Sequence, residues 1–330
     1  MNTKASAAIA KAVLYEGYML YPYRPSSVKN RQRFNFGVLY PRSYSEAQAG
    51  SDAWSTQTEC LIEGSSATAL EARIRFLKLV ARATGAPSEE NVSAWQEAVE
   101  CEVSVPASPL DALVSSPIAW PFSFPAQENV EVLRDKNGNV AGRVFRSQEF
   151  VQGTVRVSAE RVTEKLFKVR VLVENLTTFD GCGQGRDHAL MRSLVSAHTV
   201  LGVSEGEFVS LLDPPLEFAD MAANCRNLGA WPVLVGAEGS RDTMLSSPII
   251  LYDYPQIAPE SPGDLFDGAE IDEILSLRIL TMTDEEKNEM RHADERARQM
   301  LERVEGLPME HLMKLHGTLR EVRPLKEETP

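Results

Sequence analysis

Apolar and polar positions alternate along some stretches of this chain and recur every three or four residues along others, the two patterns that separate a half-buried strand from an amphipathic helix. "RFNFGVLYP" (Arg33 to Pro41) and "TQTECLIEG" (Thr56 to Gly64) are short apolar or alternating runs bounded by Pro, Ser and Gly, and both predict strands. Between Ala67 and Ala83, "ATALEARIRFLKLVARA" places Leu70, Ile74, Leu77 and Val80 or Ala81 at steps of three and four. That spacing predicts a helix packed on the sheet and stopped by Gly85 and Pro87.

The middle of the chain is strand-rich. In "VEVLRDKNGNVAGRVF" an Asn137-Gly138 pair separates Val130–Leu133 from Val140–Phe145, which predicts a hairpin closed by a type I′ turn, since both residues tolerate positive φ. "GTVRVSAERVTEKLFKVRVLVENLT" alternates in two further runs, with Val155 and Val157 on one and Phe167, Val169, Val171 and Val173 on the other. An antiparallel sheet with one covered face follows.

Beyond Thr178 the texture changes to helix with short apolar runs, "WPVLVG" and "SPIILYDYP". Thr283 with Glu286 forms a capping box, and after Met290 the positions Ala293, Ala297, Met300, Val304 and Leu307 trace a narrow apolar stripe. A second short helix after Pro308 would complete a C-terminal helical hairpin. The expected fold class is therefore α+β. Residues 1–178 form a sheet-rich part with a packing helix, and residues 179–330 a mainly helical part, across a soft boundary without a clear linker. Pro248, Pro255, Pro259 and Pro262 fix the path of the intervening passage, which reads as a structural clasp. Asp267 would cap the following helix, and Asp253 would be an internal polar anchor with a partner such as an arginine.

Composition narrows the function. A chain of 330 residues with 43% hydrophobic content buries at least one full core, and a formal charge of -13 opposes both duplex DNA and anionic membranes. No apolar run of about 18 residues occurs, so no membrane span is expected. The N-terminus reads as mature helix, because Lys11 and Glu16 interrupt any signal-type apolar region. Cys60, Cys101, Cys182 and Cys225 stand far apart with no Cys-x-x-Cys spacing, which fits a reducing, cytoplasmic location.

Candidate chemistry is sparse. Cys182 lies among glycines just before a helix beginning near Arg186, where the dipole and the guanidinium would acidify a thiol and His188 or Asp187 would assist it. A glycine-rich strand-to-helix loop needs no chemical purpose, however, and the phosphate-binding fingerprints fail there. His188 and His198 are ten residues apart, roughly 1000° of helical rotation, so they form no simple chelating pair. No metal and no cofactor are expected. One segment is conspicuously positive: Arg24, Lys29, Arg31 and Arg33 stand beside Tyr21 and Tyr23, a mixture suited to a protein interface.

Two stretches carry a resemblance. "VLYEGYMLYPYRPSSVKNRQRFNFGVLYP" and "TMLSSPIILYDYPQIAPESPGDLFDGAEIDEILSLRILTMTDEEK", with a weaker likeness through "CRNLGAWPVLVGAEGSRDTM", resemble an uncharacterised protein family associated with gene clusters of actinobacterial-type, high-affinity uptake nickel-iron hydrogenases. The resemblance implies an accessory role in hydrogenase maturation, assembly or stabilisation, with a hydrogenase subunit or maturation factor as partner. The chain is not itself a hydrogenase subunit, since it lacks paired Cys-x-x-Cys motifs and an iron-sulfur cysteine pattern. The favoured expectation is thus a non-catalytic accessory or interaction protein. The alternative is a small-molecule enzyme with Cys182 as nucleophile.

Overall fold

The computed structural model describes residues 9–11, 13–14, 37–85, 93–134, 137–180, 185–256, 279, 282–293, 298–299, 301–302 and 305–306. Of these, 52% are in strands and 19% in helices, which corrects the α+β expectation: the architecture is a large antiparallel sheet with few, short helices. The first correction is at 67–83, where the expected helix is part of a 31-residue strand, β1 (Ser55–Gly85). The second lies after Thr178, where the sheet continues instead of giving way to a helical part. There β8 (Val195–Val209), β9 (Trp231–Leu234) and β10 (Thr243–Ser247) extend it, and the helices Arg186–Leu190 and Ala219–Ala223 have five residues each.

Strand β1 organises everything else. Its first part pairs on one side with β7 (Leu166–Asn175), and its later part pairs on that same side with β2 (Ser93–Pro109). On the other side lies β8 and then, from Ala81 onward, β5 (Val140–Gln148). The strands β3 (Ile118–Phe124) and β6 (Val151–Arg161) continue outward from β7, β10 and β9 continue from β8, and β4 (Gln127–Arg134) adds to β5.

Cross-strand pairing explains why 67–83 is extended. Ala72, Ile74 and Phe76 face Val105, Val103 and Cys101 of β2 on the core side, while Arg75 faces Glu102 on the other. Arg75 also reaches Glu100 at 3.1 Å and Glu102 at 3.7 Å. The alternating sequence of β2 supplies an apolar partner and an ionic partner at matching positions, and this pairing overrides the helical spacing of Leu70, Ile74 and Leu77. The core forms where this face meets β6, β7 and the short helix Leu110–Ser115, with Val155, Val157, Val169 and Val171 buried beside Phe76 and Leu110. Phe76 stands edge-on to Phe124, ring centroids 5.3 Å apart.

β1 bends at a bulge. Gly64 pairs with Gly206 and Ala69 with Ser204, so residues 65–68 loop out of the ladder. Thr68 holds the bulge, its hydroxyl accepting from Ser65 N–H at 2.8 Å and donating to the Glu205 carbonyl. A side chain on Gly206 would stand 2.7 Å from Thr68 Cγ2 and 2.9 Å from the Glu63 carbonyl, which requires glycine there.

The hairpin expected around residues 137–138 forms between β4 and β5, although only Gly138 takes a positive φ, +85°, so the turn is not type I′. Leu39 makes an isolated bridge to Leu194 where a strand was expected at 33–41; residues 33–36 lie outside the described residues. "SPIILYDYP" is not a strand either. The strand ends at Ser247, just before Pro248, although Ile249 and Leu251 still pack inward while Ile250 and Tyr252 are exposed. Helical residues Ile9, Ala10 and Val13 pack with Val200, Val233 and Leu245.

The chain divides into two compact units. Residues 1–18 and 32–256 form the unit described above, and residues 19–31 and 257–330 form a second. The sheet itself crosses residues 178–179 without a break in pairing, β7 lying before and β8 after them beside β1. The described part of the second unit contains the helix Asp284–Ala293. Thr283 N–H donates to Glu286 Oε2 at 2.8 Å and Glu286 N–H to Thr283 Oγ1 at 3.3 Å, the reciprocal capping geometry. The second helix of the expected hairpin, after Pro308, lies outside the described residues.

Candidate interaction surface

Past Val80, β1 no longer pairs with β8. Its last residues join β2, β5 and β4 in a four-stranded arm of order β2-β1-β5-β4. Residues directly opposite in an antiparallel ladder share a face, so the register assigns each side chain. One face carries charge: Arg82 meets Glu97 at 3.3 Å, Arg146 meets Glu97 at 3.1 Å and Glu131 at 2.8 Å. Hydrogen bonding to Glu131, reinforced by Glu97, holds the Arg146 guanidinium more firmly in its charged form, against the opposing effect of burial.

The other face is exposed and carries an apolar cluster, with Arg143 opposite Val132 and with Glu128 and Arg134 at the two ends of β4. Ala83 lies opposite Phe145, Phe145 opposite Val130, and Arg134 opposite Val140, with Val132 next along β4. Val130 is 54% exposed, and Val132, Val140 and Phe145 are each 43% exposed. One aromatic and three β-branched side chains exposed on one face of two adjacent strands are what a protein partner covers, whereas scattered exposed apolar residues are ordinary. The sequence already marked 130–133 and 140–145 as strands, but alternation alone does not tell a covered face from an open one.

The expected chemistry falls elsewhere. Asp187 and His188 are exposed on the helix Arg186–Leu190, while Cys182 lies outside the described residues, as do Tyr21, Tyr23, Arg24, Lys29, Arg31, Arg33 and Asp267. Asp253 is partly buried. It accepts from Ser210 Oγ at 2.5 Å and from Leu234 N–H at 2.7 Å, so a hydroxyl and a backbone donor stand where an arginine was expected. Arg186 sits over the Tyr40 ring, 5.7 Å from its centroid. Burial drives the thiols of Cys101 and Cys225 each up to about 11, and that of Cys60 higher still, which leaves these three without thiolate character. Burial likewise lowers His198 to about 4, so its ring is neutral, with Nδ1 2.9 Å from the Ser196 carbonyl. Among the described residues, no group of three or more His, Cys, Asp or Glu side chains is placed to hold a metal ion.

One polar constellation escaped the sequence reading. Glu59 is fully buried in β1, and Arg170 binds it from the directly opposite position of β7, Nε at 2.8 Å and Nη2 at 2.7 Å. Its second oxygen accepts from Arg226 N–H at 2.8 Å, and Glu59 N–H donates to Asn227 Oδ1 at 2.8 Å. Burial raises the Glu59 pKa, but the Arg226 N–H, Arg170 and Lys168 outweigh it and leave the carboxyl below its ordinary range. With the Gln57–Leu228 bridge, these bonds stitch residues 226–228 onto the start of β1. A glutamate inside the apolar run "TECLIEG" was the available signal. Its role is structural, since its bonds tie β7 and residues 226–228 to β1.

No protein-family model matches the sequence, and no curated protein matches it. Among the described residues, no helix is long and apolar enough to cross a membrane.

Proposed function

We propose that this chain is a non-catalytic accessory protein that works by binding another protein through the apolar face of the β2-β1-β5-β4 arm. The observation that carries the reading is the open cluster of Phe145, Val130, Val132 and Val140. Phe145 and Arg143 are of the residue types enriched at interface centres, the valines add apolar area beside them, and the salt-bridged opposite face stiffens the strands that present them. The resemblance in the 13–41 and 243–287 stretches supplies the partner class: a subunit or maturation factor of a nickel-iron hydrogenase, met in the cytoplasm during assembly. Free Cys60, Cys101 and Cys225 accord with that compartment.

The test is recovery of partners by the tagged full chain from a native lysate of a hydrogenase-producing cell, compared with Phe145→Asp. Hydrogenase components should co-purify with the native chain and be lost with the variant. Equal recovery of those components by both chains would remove the arm as the binding face, and recovery of none by the native chain would remove the hydrogenase reading.

A further inference from the structure

The arm ends in an edge, and that edge is unlike the others. Among the described residues, β2, β3, β9 and β4 each pair with one strand only. Three of them contain proline, Pro106 in β2, Pro121 in β3 and Pro232 in β9, a residue that cannot donate to a further ladder and so blunts an edge. The fourth, β4, reads QENVEVLR, contains no proline, and is exposed at all eight positions. Its backbone is a template for one more strand.

We propose that the occupant of this edge is a second copy of the same chain, the two β4 strands pairing antiparallel across a two-fold axis at Glu131. The argument is self-complementarity. An edge-to-edge antiparallel pair has its two-fold axis perpendicular to the sheet, so facing residues lie on the same face and their numbers have a constant, even sum. With Glu131 on the axis, Val130 faces the partner's Val132, Glu128 faces the partner's Arg134, and Asn129 faces the partner's Leu133. Each of these pairs occurs twice by symmetry. Shifting the axis by one residue in either direction destroys the match: with Val130 on the axis Glu128 faces a valine, and with Val132 on the axis Arg134 faces a valine.

The two Glu131 carboxylates meet on the axis on the charged face, where each already has its own Arg146 at 2.8 Å, so their repulsion is compensated. Arg134 gives one N–H to the Gly138 carbonyl at 2.8 Å, and a guanidinium has further N–H donors to offer the partner's Glu128. Pairing places the two open clusters of Val130, Val132, Val140 and Phe145 on the same side of one eight-stranded sheet. This assembly does not depend on the hydrogenase reading; it sets the number of arms presented together.

The experiment measures the mass of the full chain by sedimentation equilibrium, with variants chosen to separate pairing from folding. The native chain should self-associate to a dimer. Glu128→Arg and Arg134→Glu each put like charges opposite one another twice and should weaken the dimer about tenfold or more, while the double variant exchanges the charges and should restore it. A chain destabilised by either change would not be rescued by the second. Under mild oxidation Glu131→Cys should form a 131–131 disulfide, because facing Cα atoms lie within disulfide range, and Asn129→Cys should not. A monomeric native chain, a dimer indifferent to Glu128→Arg, or equal crosslinking at 129 and 131 would each overturn the proposal. Partner recovery by a monomeric Glu128→Arg chain would leave the proposed function standing separately, and loss of partner from an intact dimer would count against that function alone.

Discussion

Two regions of one strand behave in opposite ways. From Leu70 to Phe76 the even-numbered residues of β1 are buried in the core while Glu71, Arg73 and Arg75 form the polar side; from Leu77 the odd-numbered side becomes apolar and the even side carries Arg82. Between them, Phe76 to Val80 are buried throughout. The strand therefore exchanges its apolar face partway along its length. The first region closes its apolar face within the chain, and the second continues it onto the exposed Phe145 and Val130 of the neighbouring strands. Apolar character that stabilises the fold in one place is available for association in the other.

Substitutions on the two sides of that exchange should separate stability from binding. The largest effect is expected for Phe76→Ala, which empties a fully buried site packed against Phe122 and Phe124 and should cost about 3–5 kcal/mol in urea unfolding. A loss under about 1 kcal/mol would mean that the core is not continuous there.

Glu59→Ala should cost about 2–3 kcal/mol, less than a fully enclosed ion pair because Arg170 is half exposed. Glu59 also gives a pH signature. Its folded pKa lies below its unfolded value, so its contribution is complete above the ordinary carboxylate range and is lost as pH falls through the folded pKa. The native chain should lose stability between about pH 5 and pH 3, and its advantage over Glu59→Gln should shrink across that window. An advantage that stays constant would exclude the ionised pair as its source.

The smallest effect on folding is expected in the arm. Phe145→Ser should change unfolding free energy by less than about 1 kcal/mol, since the side chain is 43% exposed and lies on an open face. Partner recovery is the property it should lose, and a large fall in stability would mean that the face is an internal surface after all.

The sequence was most legible where pairing is local or alternation uninterrupted. The runs 155–157 and 167–173 appear as β6 and β7, and the β4–β5 hairpin follows its Gly138 turn. It was least legible at 67–83, because an alternating strand that exchanges faces brings Ile74, Leu77 and Val80 into a three-residue rhythm that imitates a helix. Deciding between them needs β2, whose Glu100, Cys101, Glu102 and Val103 answer β1 position by position. The open face of the arm was hidden for a different reason. Val130 and Val132 announce a strand, and only the finished packing tells whether anything lies against them.

The length of β1 also orders the events of folding. Its distal part pairs with β2, the next strand synthesised, whereas Leu61 and Ile62 await Val209 and Phe208, among the later sheet strands to leave the ribosome. A hairpin of β1 and β2 closes at low loop entropy, but the proximal half of the same strand keeps an unsatisfied backbone edge until most of the sheet has been made. The nascent chain thus spends much of its synthesis with a long apolar strand half paired, the condition under which newly made proteins recruit chaperones or aggregate. Refolding of the isolated chain should accordingly be slow and concentration-sensitive, governed by the arrival of β8.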